Sequence, residues 1–389
     1  MEIKTHRRDF LKKTAAAAIL MAAGGLSKAE GGAPGTVIKA PESREPSFGE
    51  KKSGMPKAVD LPHYRGFNLL NMFVHTWAGD FEEKDFEVIK GLGFNFVRIP
   101  LSYWCWSSEE NWFSIDEKAM KRIDKCVELG GKYGLHVNLN FHRAPGYCIN
   151  RWEGKELPKN LFLDLEPLEA CAFHWRHFAQ RYKGIDNARL SFNLVNEPPK
   201  VPTENYARVV RALTETIRSE DPSRLIFIDG ENSGERALRG VEDIDGLVQS
   251  AHGYYPNEIS QYQASWLKKW INFDKYPEDK LSWPFKRGDK LIDRKVLADR
   301  YDKGWAQYAK DGGKIHVGEF GAYCKLPHKI ALAYLSDQLS IYKERGWGWA
   351  LWNLKGTFGV FNSKRKDVVY EKYKGMELDR KMLELLLQS

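Results

Sequence analysis

Two glutamates in this sequence each follow a short apolar run. Glu197 lies in LSFNLVNEPP and Glu319 lies in KIHVGEFGAY. If the apolar runs are strands, both carboxyl groups stand at strand ends. Cleavage of a glycosidic bond needs two such groups, because one must donate a proton while the other carries negative charge beside the anomeric carbon of the sugar. The pair therefore indicates chemistry on a sugar linkage.

The elements that would position this pair recur in a regular order. Helical patterns lie between apolar strands that do not alternate in polarity, which is typical of a parallel sheet covered by helices. The eight repeats predict an α/β fold with a closed (β/α)8 barrel, a TIM barrel, as a single catalytic domain over residues 60–389. The predicted strands are 65–70, 94–99, 136–141, 190–195, 225–229, 247–251, 315–318 and 348–351, and the clearest helices are 115–133, 167–182, 205–219 and 330–345.

Polar or aromatic residues lie at the ends of six of the predicted strands or just after them. Barrel enzymes build their sites at the carboxyl ends of the strands, so side chains at these positions are expected to face substrate. The candidates, in chain order, are Arg98, His142, Asn196 with Glu197, His252 with Tyr254, Glu319 and Trp352.

These motifs, taken together and in order, resemble glycoside hydrolase family 5, the cellulase family. The resemblance rests on Asn-Glu-Pro after the fourth strand, Glu after the seventh, the Arg of VRIP, the His-x-Tyr of AHGYY and the Trp that closes the eighth strand. It spans the chain from Arg65 to the C-terminus. Two features depart from the family: His142 is followed by Arg143 where Asn is usual, and the ending GWALWNLKG is different. Both leave the identity of the sugar open.

The resemblance implies a role for each acidic residue. Glu197 would be the general acid/base, and Glu319 would be the nucleophile of a retaining reaction, in which the two carboxyl groups lie about 5 to 5.5 Å apart. Arg98 would lower the pKa of Glu319 and fix its rotamer. Tyr254 would donate a hydrogen bond to Glu319. Each acid has a plainer alternative, a helix N-terminus for Glu197 and a structural salt bridge for Glu319.

The resemblance also implies how the sugar would be held. Asn196 would bind the 2-hydroxyl group, and His142 and His252 would line the subsite, with His252 closer to Glu197. Trp352 would stack on the sugar ring, whose C–H face is apolar. A histidine at a strand end can instead be purely structural. Further tryptophans could form subsites or simply pack in the core: Trp77, Trp104, Trp106, Trp152, Trp266 and Trp283.

The function expected from this resemblance is hydrolysis of a β-linked oligo- or polysaccharide, preferentially as an endo-β-1,4-glucanase. A β-mannanase, a β-1,3-glucanase or an exo-acting β-glucosidase on the same scaffold remains an alternative, and a non-catalytic carbohydrate-binding barrel is a distant one. No cofactor and no metal are expected. His174 and His177 share a helix face, but no carboxylate completes a metal site nearby. The long segment 256–311 is expected to wall the cleft.

The first 59 residues are predicted to be an export signal followed by a flexible linker. Residues 1–29 combine HRRDFLK at 6–12 with an apolar stretch at 15–23, which is typical of a twin-arginine export signal, although an uncleaved anchor is the alternative. Residues 30–59 are predicted to be a flexible linker. Export to the periplasm or the extracellular space is therefore expected.

Charge and cysteine content set further limits. Residues 1–59 hold eleven Lys or Arg and six Asp or Glu, so they contribute +5 of the net +8 and leave about +3 to the domain. Without a basic stripe, nucleic-acid binding is not expected, nor is a membrane partner beyond the signal. We expect a monomer. The five cysteines show no paired spacing and are expected to be free thiols.

Overall fold

The protein is described from a computed structural model, whose described residues are 61–149 and 159–389. The predicted export signal, the predicted linker and Trp152 lie outside these ranges.

Eight parallel strands close into a barrel in chain order, which confirms the predicted fold. Each strand pairs with the next, and the last pairs back onto the first, where Arg65 lies opposite Trp349. The strands are β1 (Arg65–Asn68), β2 (Phe96–Ser102), β3 (His136–Ala144), β4 (Leu190–Asn193), β5 (Ile226–Asp229), β6 (Leu247–Gly253), β7 (Lys314–Phe320) and β8 (Gly348–Leu351).

Amphipathic helices cover the barrel, and the four predicted helices are present within two residues of their predicted bounds. The second illustrates how they form: Asp116 caps its first turn by accepting from the amides of Lys118 and Ala119, and Gly134 ends it in a left-handed conformation. The helices are α1 (Glu83–Gly91), α2 (Glu117–Tyr133), α3 (Leu165–Arg181), α4 (Thr203–Glu220), α5 (Arg294–Lys310), α6 (His328–Glu344) and α7 (Arg380–Leu387).

The connection from β5 to β6 departs from the regular pattern, because it holds a single helical turn, Glu231–Gly234. The local sequence explains this: residues 230–240 read GENSGERALRG, with three glycines and no helical apolar repeat. The loop therefore stays short and lies close to the carboxyl end of the barrel.

The strands are buried along their length, and an aromatic layer fills the amino end of the barrel. Phe96 stacks on His136 at 5.5 Å between ring centroids and lies 4.7 Å from His316. Burial lowers the pKa of both histidines to about 3, so they pack as neutral rings. The amino end of the barrel is therefore filled by side chains, which leaves the carboxyl end for a binding site.

Two segments extend the barrel. The connection from β6 to β7 contains short turns, a hairpin (Phe285–Arg287 with Lys290–Ile292) and α5. After β8, a second hairpin (Glu371–Tyr373 with Met376–Leu378) leads into α7. All five cysteines are free thiols, as predicted. Among the described helices, none combines the length and apolar character that crossing a membrane would require.

Candidate active site

The structure brings all eight predicted site residues together at the carboxyl end of the barrel. Each lies within its strand or a few residues beyond the last position of that strand. The residues are Arg98 on β2, His142 on β3, Asn196 and Glu197 after β4, His252 on β6 and Tyr254 just after it, Glu319 on β7, and Trp352 after β8.

The two glutamates face each other across this opening. One carboxylate oxygen of Glu197 lies within 4.8 Å of one of Glu319. Retaining glycosidases hold their carboxyl groups about 5 to 5.5 Å apart, whereas inverting enzymes leave about 6.5 to 9.5 Å for a water molecule. The separation therefore fits direct attack by a carboxylate and leaves too little room for inversion.

Glu319 owes its direction to an irregularity in β7. The register of β7 against β6 shifts between Val317 and Glu319, which is a β-bulge and re-aims the side chain. Gly318 is required there, because a Cβ at this position would lie 2.3 Å from Ser250 Oγ.

Arg98 connects the site residues through four hydrogen bonds. Its Nη1 donates to Glu319 Oε1 at 2.7 Å and to Asn68 Oδ1 at 3.0 Å. Its Nε donates to Asn193 Oδ1 at 3.1 Å, and its Nη2 donates to Asn196 Oδ1 at 2.8 Å. Because the guanidinium occupies the oxygen of Asn196, the Nδ2 amide is the end left to donate to a ligand.

The pKa of Glu319 is raised to about 7, and burial is the largest cause. The positive charges of His252 and Arg98 act in the opposite direction but do not outweigh burial, and the nearby Glu197 raises the pKa further. Arg98 therefore lowers the pKa of Glu319, as predicted from the sequence, but burial outweighs this effect and the net pKa is raised. Arg98 does fix the carboxylate, together with Tyr254, whose hydroxyl donates to Glu319 Oε2 at 3.1 Å.

Glu197 has an unusual backbone conformation, with a φ of 44°. A side-chain-bearing residue in this left-handed region costs roughly 1 kcal/mol or more, so the surroundings must hold it there. The amide of Glu197 donates to Asp229 Oδ2 at 2.8 Å, and the hydroxyl of Tyr147 donates to its carbonyl oxygen. Its Oε1 lies 2.9 Å from His252 Nδ1, so His252 is adjacent to Glu197 as expected.

His252 is surrounded by carboxylates. Its Nε2 lies 3.0 Å from Asp229 Oδ2, and its Nδ1 is 3.9 Å from Glu319 Oε2. Burial lowers the pKa of His252, but the charges of Asp229 and Glu319 outweigh burial and raise it to about 10. Burial likewise raises the pKa of Asp229, while the charges of His252 and Arg98 bring it below its ordinary value. At neutral pH the pair is therefore an imidazolium and a carboxylate.

Three aromatic rings form a wall beside Glu319. The rings of His142 and Trp352 are nearly parallel, at 28° and 5.6 Å, and Phe73 meets them edge-on at 4.6 and 5.4 Å. His142 Nδ1 lies 4.0 Å from Glu319 Oε1, and burial lowers the pKa of His142 well below its ordinary value. His142 is buried, whereas Phe73 and Trp352 are partly exposed, so these two rings are available to the apolar C–H face of a sugar.

A cavity of about 250 Å³ adjoins Glu197 on the side of the β5–β6 and β6–β7 connections. The segment after β6 contributes much of its lining, so the long segment 256–311 does wall the cleft. The lining residues include Ser233, Glu235, Tyr255, Asn257, Gln261 and Arg300.

The fit of a metal to this site is poor. Donor atoms of Glu197, His252 and Glu319 lie within 4.8 Å of one another. However, a protonated imidazole has no lone pair to give, and the Arg98 guanidinium already binds Glu319. The second candidate pair, His174 and His177, does not share a ligand-binding arrangement. Trp106 donates to His174 Nδ1 at 3.2 Å, whereas His177 lies 3.4 Å from Glu117.

Sequence reasoning missed several residues that hold the site. They are Asn68, Phe73, Tyr147, Asn193 and Asp229. Asn68 donates to the carbonyl of Gly318 at 3.0 Å and so supports the bulge. A signal existed for three of them, because Asn68, Asn193 and Asp229 are polar residues at the observed ends of β1, β4 and β5. Phe73 lies in a loop and Tyr147 in a two-residue strand that pairs with the end of β3, and neither carries such a signal.

A (β/α)8 barrel with two carboxylates this close at its carboxyl end has the make-up of a glycoside hydrolase. The family model for cellulases, glycosyl hydrolase family 5, matches residues 59–357, and the chain belongs to this family. It is a glycosidase that hydrolyses O-glycosyl compounds.

Individual relatives agree with this assignment. Endoglucanase C of Acetivibrio thermocellus is 27% identical over 308 residues, which cover 74% of this chain and 88% of the relative. Cellodextrinase A of Ruminococcus flavefaciens is 25% identical over 274 residues, or 68% and 76% of the two chains. A solved structure described as a glycoside hydrolase is 36% identical, covers 84% of this chain and 99% of its own, and superposes with a TM-score of 0.77.

Proposed function

We propose that this protein is a retaining endo-β-1,4-glucanase in which Glu319 is the nucleophile and Glu197 is the general acid/base. The observation that carries the proposal is the approach of the two carboxylates to within 4.8 Å, with Glu319 held by Arg98 and Tyr254. The relatives named as an endoglucanase and a cellodextrinase support a β-linked glucan as substrate.

The reaction follows from the positions of these groups. In the first step Glu319 attacks the anomeric carbon, the glycosidic C–O bond breaks, and the proton of Glu197 passes to the leaving oxygen. In the second step Glu197 takes a proton from water, the water oxygen attacks the anomeric carbon, and Glu319 leaves. The anomeric configuration is inverted twice and is therefore retained.

The two sides of the bond are bound by different surfaces. The aromatic wall of Phe73, His142 and Trp352 adjoins Glu319, so we assign it to the sugar that becomes attached. The Nδ2 amide of Asn196 faces the same sugar as a donor for its 2-hydroxyl group. The cavity beside Glu197 then receives the leaving sugar, since Glu197 must reach the departing oxygen.

The test is a panel of soluble polysaccharides with β-1,4-glucan, mixed-linkage glucan, β-1,3-glucan and glucomannan. Endo action on β-1,4-glucan should lower viscosity faster than it releases reducing ends, and NMR should show the β-anomer as the first product. The Glu319→Gln protein, prepared in parallel, is the control. Initial release of the α-anomer would contradict the proposed reaction, and hydrolysis confined to β-1,3-glucan or mannan would contradict the proposed substrate.

We further propose that the protein is exported by the twin-arginine route to the periplasm or beyond and acts as a monomer. Support for export is the HRRDFLK sequence and the apolar stretch that follows it. Replacement of Arg7 and Arg8 by Lys should leave the uncleaved protein in the cytoplasmic fraction, as judged by fractionation and mass. Unchanged export would contradict the proposed route, and a dimer in sedimentation would contradict the proposed oligomeric state.

A further inference from the structure

Asp229 is a fully buried carboxylate at the end of β5, and it contacts several of the site residues. It accepts from the backbone amide of Glu197 at 2.8 Å and from Asn193 Nδ2 at 3.2 Å. It also lies 3.0 Å from His252 Nε2 and 3.5 Å from Arg98 Nη2. A buried carboxylate is costly unless charges and donors compensate it, and here the compensating groups are those that would do the chemistry.

His252 connects Asp229 to Glu197. One ring nitrogen lies against Asp229, and the other is 2.9 Å from Glu197 Oε1. The contact with Asp229 is at ion-pair distance, and the charge of Asp229 raises the pKa of His252 more than any hydrogen bond between them does. Its contribution is therefore mainly the negative charge, which favours the protonated ring.

The other groups around His252 do not change this conclusion. Glu319 on β7 adds a second negative charge at 3.9 Å. Arg98 on β2 is positive but is engaged with Glu319, and His142 on β3 is neutral. Burial raises the pKa of Tyr254 well above its ordinary value, so this hydroxyl carries no charge. The field at His252 is therefore set by carboxylates, and Asp229 is the closest one that takes no part in bond cleavage.

We propose that Asp229 is a positioning residue for proton transfer: it keeps His252 charged, so that the Nδ1–H of His252 stabilises the carboxylate that Glu197 becomes on protonating the leaving oxygen. This inference rests on the proposed function of Glu197. In the first step the proton moves from Glu197 to the leaving oxygen, and His252 retains both of its protons. In the second step Glu197 regains a proton from water. His252 is thus an electrostatic partner that is neither consumed nor regenerated.

The same carboxylate also fixes the backbone of Glu197, which has a φ of 44°. These two effects of Asp229 can be separated experimentally. The Asp229→Asn side chain keeps an oxygen that can accept from the Glu197 amide but lacks the negative charge. The bond from Asp229 to the Glu197 backbone would therefore survive this change, whereas the bond from Asn193 and the electrostatic role would not.

The first test compares aryl β-cellobiosides with good and poor leaving groups, because a poor leaving group depends on proton donation. In Asp229→Asn we expect kcat/KM to fall about tenfold or more for the phenyl glycoside and much less for the 2,4-dinitrophenyl glycoside. The alkaline limb of the pH profile should move to lower pH, because His252 loses its proton more readily without Asp229. Equal losses on both substrates with an unmoved alkaline limb would overturn the proposal.

The matched control is Asp221→Asn. Asp221 is also a buried carboxylate in an ion pair, 2.6 Å from Arg224, but it lies at the amino end of the barrel. This variant should lose stability without a change in leaving-group dependence or in the alkaline limb. A shift of the alkaline limb equal to that of Asp229→Asn would show that loss of any buried charge produces the effect, which would also overturn the proposal.

A second measurement needs neither substrate nor a folded variant. In the wild-type protein with 15N-labelled histidine, the His252 ring should give the NMR signature of an imidazolium, protonated on both nitrogens, at pH 8. A neutral ring at pH 8 would overturn the inference even if the enzyme is active. If the ring is charged but no β-glucan is cleaved, the proposed function fails while the pairing of Asp229 with His252 stands.

Discussion

At the scale of single residues, the two glutamates of the site, Glu319 and Glu197, have different surroundings. The Glu319 side chain is 4% exposed and is held by Arg98 and Tyr254, whereas the Glu197 side chain is 16% exposed and borders the cavity. Pairs of carboxyl groups whose environments differ in this way are how glycosidases divide the tasks of attack and proton transfer. The assignment of roles can therefore be tested residue by residue.

The first prediction concerns truncation of the nucleophile, Glu319. Glu319→Ala should lower kcat by at least about 10⁴-fold, because no carboxylate remains to form the covalent intermediate. The cavity left by the side chain should admit azide, which should restore part of the rate and give an α-glycosyl azide, identified by NMR. Glu319→Asp is the control, since it keeps a carboxylate and should not need azide. A β-configured azide product would contradict the assignment.

The pKa of Glu319 makes a prediction about pH. Glu319 must be ionised to attack, and its pKa is raised to about 7, chiefly by burial. Hence kcat/KM should fall as the pH decreases through about 7, well above the range of an ordinary carboxyl group. Measurement from pH 4 to 9, with circular dichroism at each pH to exclude unfolding, checks this. An acid limb near the ordinary value of about 4.5 would contradict the shift.

The raised pKa of Glu319 also predicts how the stability of the protein depends on pH. A carboxyl group whose pKa is higher in the folded than in the unfolded protein stabilises the fold only while it is protonated. Its contribution is full below about 4.5 and is lost as the pH rises through about 7. Glu319→Gln, which resembles the protonated form, should therefore melt at a higher temperature than the wild type at pH 8 but not at pH 4. Scanning calorimetry at the two pH values measures the difference.

At the scale of elements, the β7 bulge determines where Glu319 points. Gly318→Ala would place a methyl group 2.3 Å from Ser250 Oγ, so β7 or β6 must move. We expect a loss of about 1 to 3 kcal/mol in the free energy of unfolding and a fall in kcat as Glu319 is displaced. Urea denaturation and steady-state kinetics measure the two effects.

A double variant tests the cause of that loss. Gly318→Ala with Ser250→Ala removes the hydroxyl that the new methyl group would meet, and it should recover part of both stability and rate. Ser250→Ala alone is the control for loss of the hydroxyl. If the double variant is no better than Gly318→Ala, the contact with Ser250 is not what makes glycine necessary.

The barrel strands and the longer helices could be predicted from the sequence because their signals are local. Apolar runs and helical repeats predicted all eight strands within three residues at each end, and the last strand with the bounds that the structure has. The glycines of residues 230–240 also indicate that no long helix lies between β5 and β6, although a regular eightfold pattern would place one there. Element order thus followed from the sequence, whereas exceptions to the order did not.

The electrostatics of the site could not be predicted in the same way. The approach of Arg98 to Glu319 followed from their strand ends, but the net pKa of Glu319 depends on how completely neighbouring elements exclude water. Asp229 stands at a strand end, but its contacts with Asn193, His252 and the amide of Glu197 cannot be inferred from the sequence. Strand-end chemistry is a local property, whereas burial and pairing are properties of the closed barrel.

At the scale of the whole molecule, the C-terminal segment stabilises the barrel from outside the site. Leu383 and Leu386 of α7 are buried, and Asp379 caps this helix by accepting from the amide of Met382 at 3.1 Å. Asp379 Oδ2 also lies 2.8 Å from His328 Nε2 at the start of α6. One buried carboxylate therefore caps α7 and joins it to α6, on the outside of the barrel.

This arrangement predicts that stability and activity can be separated. Asp379→Ala removes the cap and leaves His328 without its partner, so the free energy of unfolding should fall by about 3 kcal/mol. Because no site residue contacts Asp379, kcat/KM at temperatures well below melting should stay within about twofold of the wild type. The control is Glu371→Ala, which removes a solvent-exposed partner of Arg380 from the same segment and should leave stability unchanged. A loss of rate in Asp379→Ala without a loss of stability would mean that the C-terminal segment acts on the site directly.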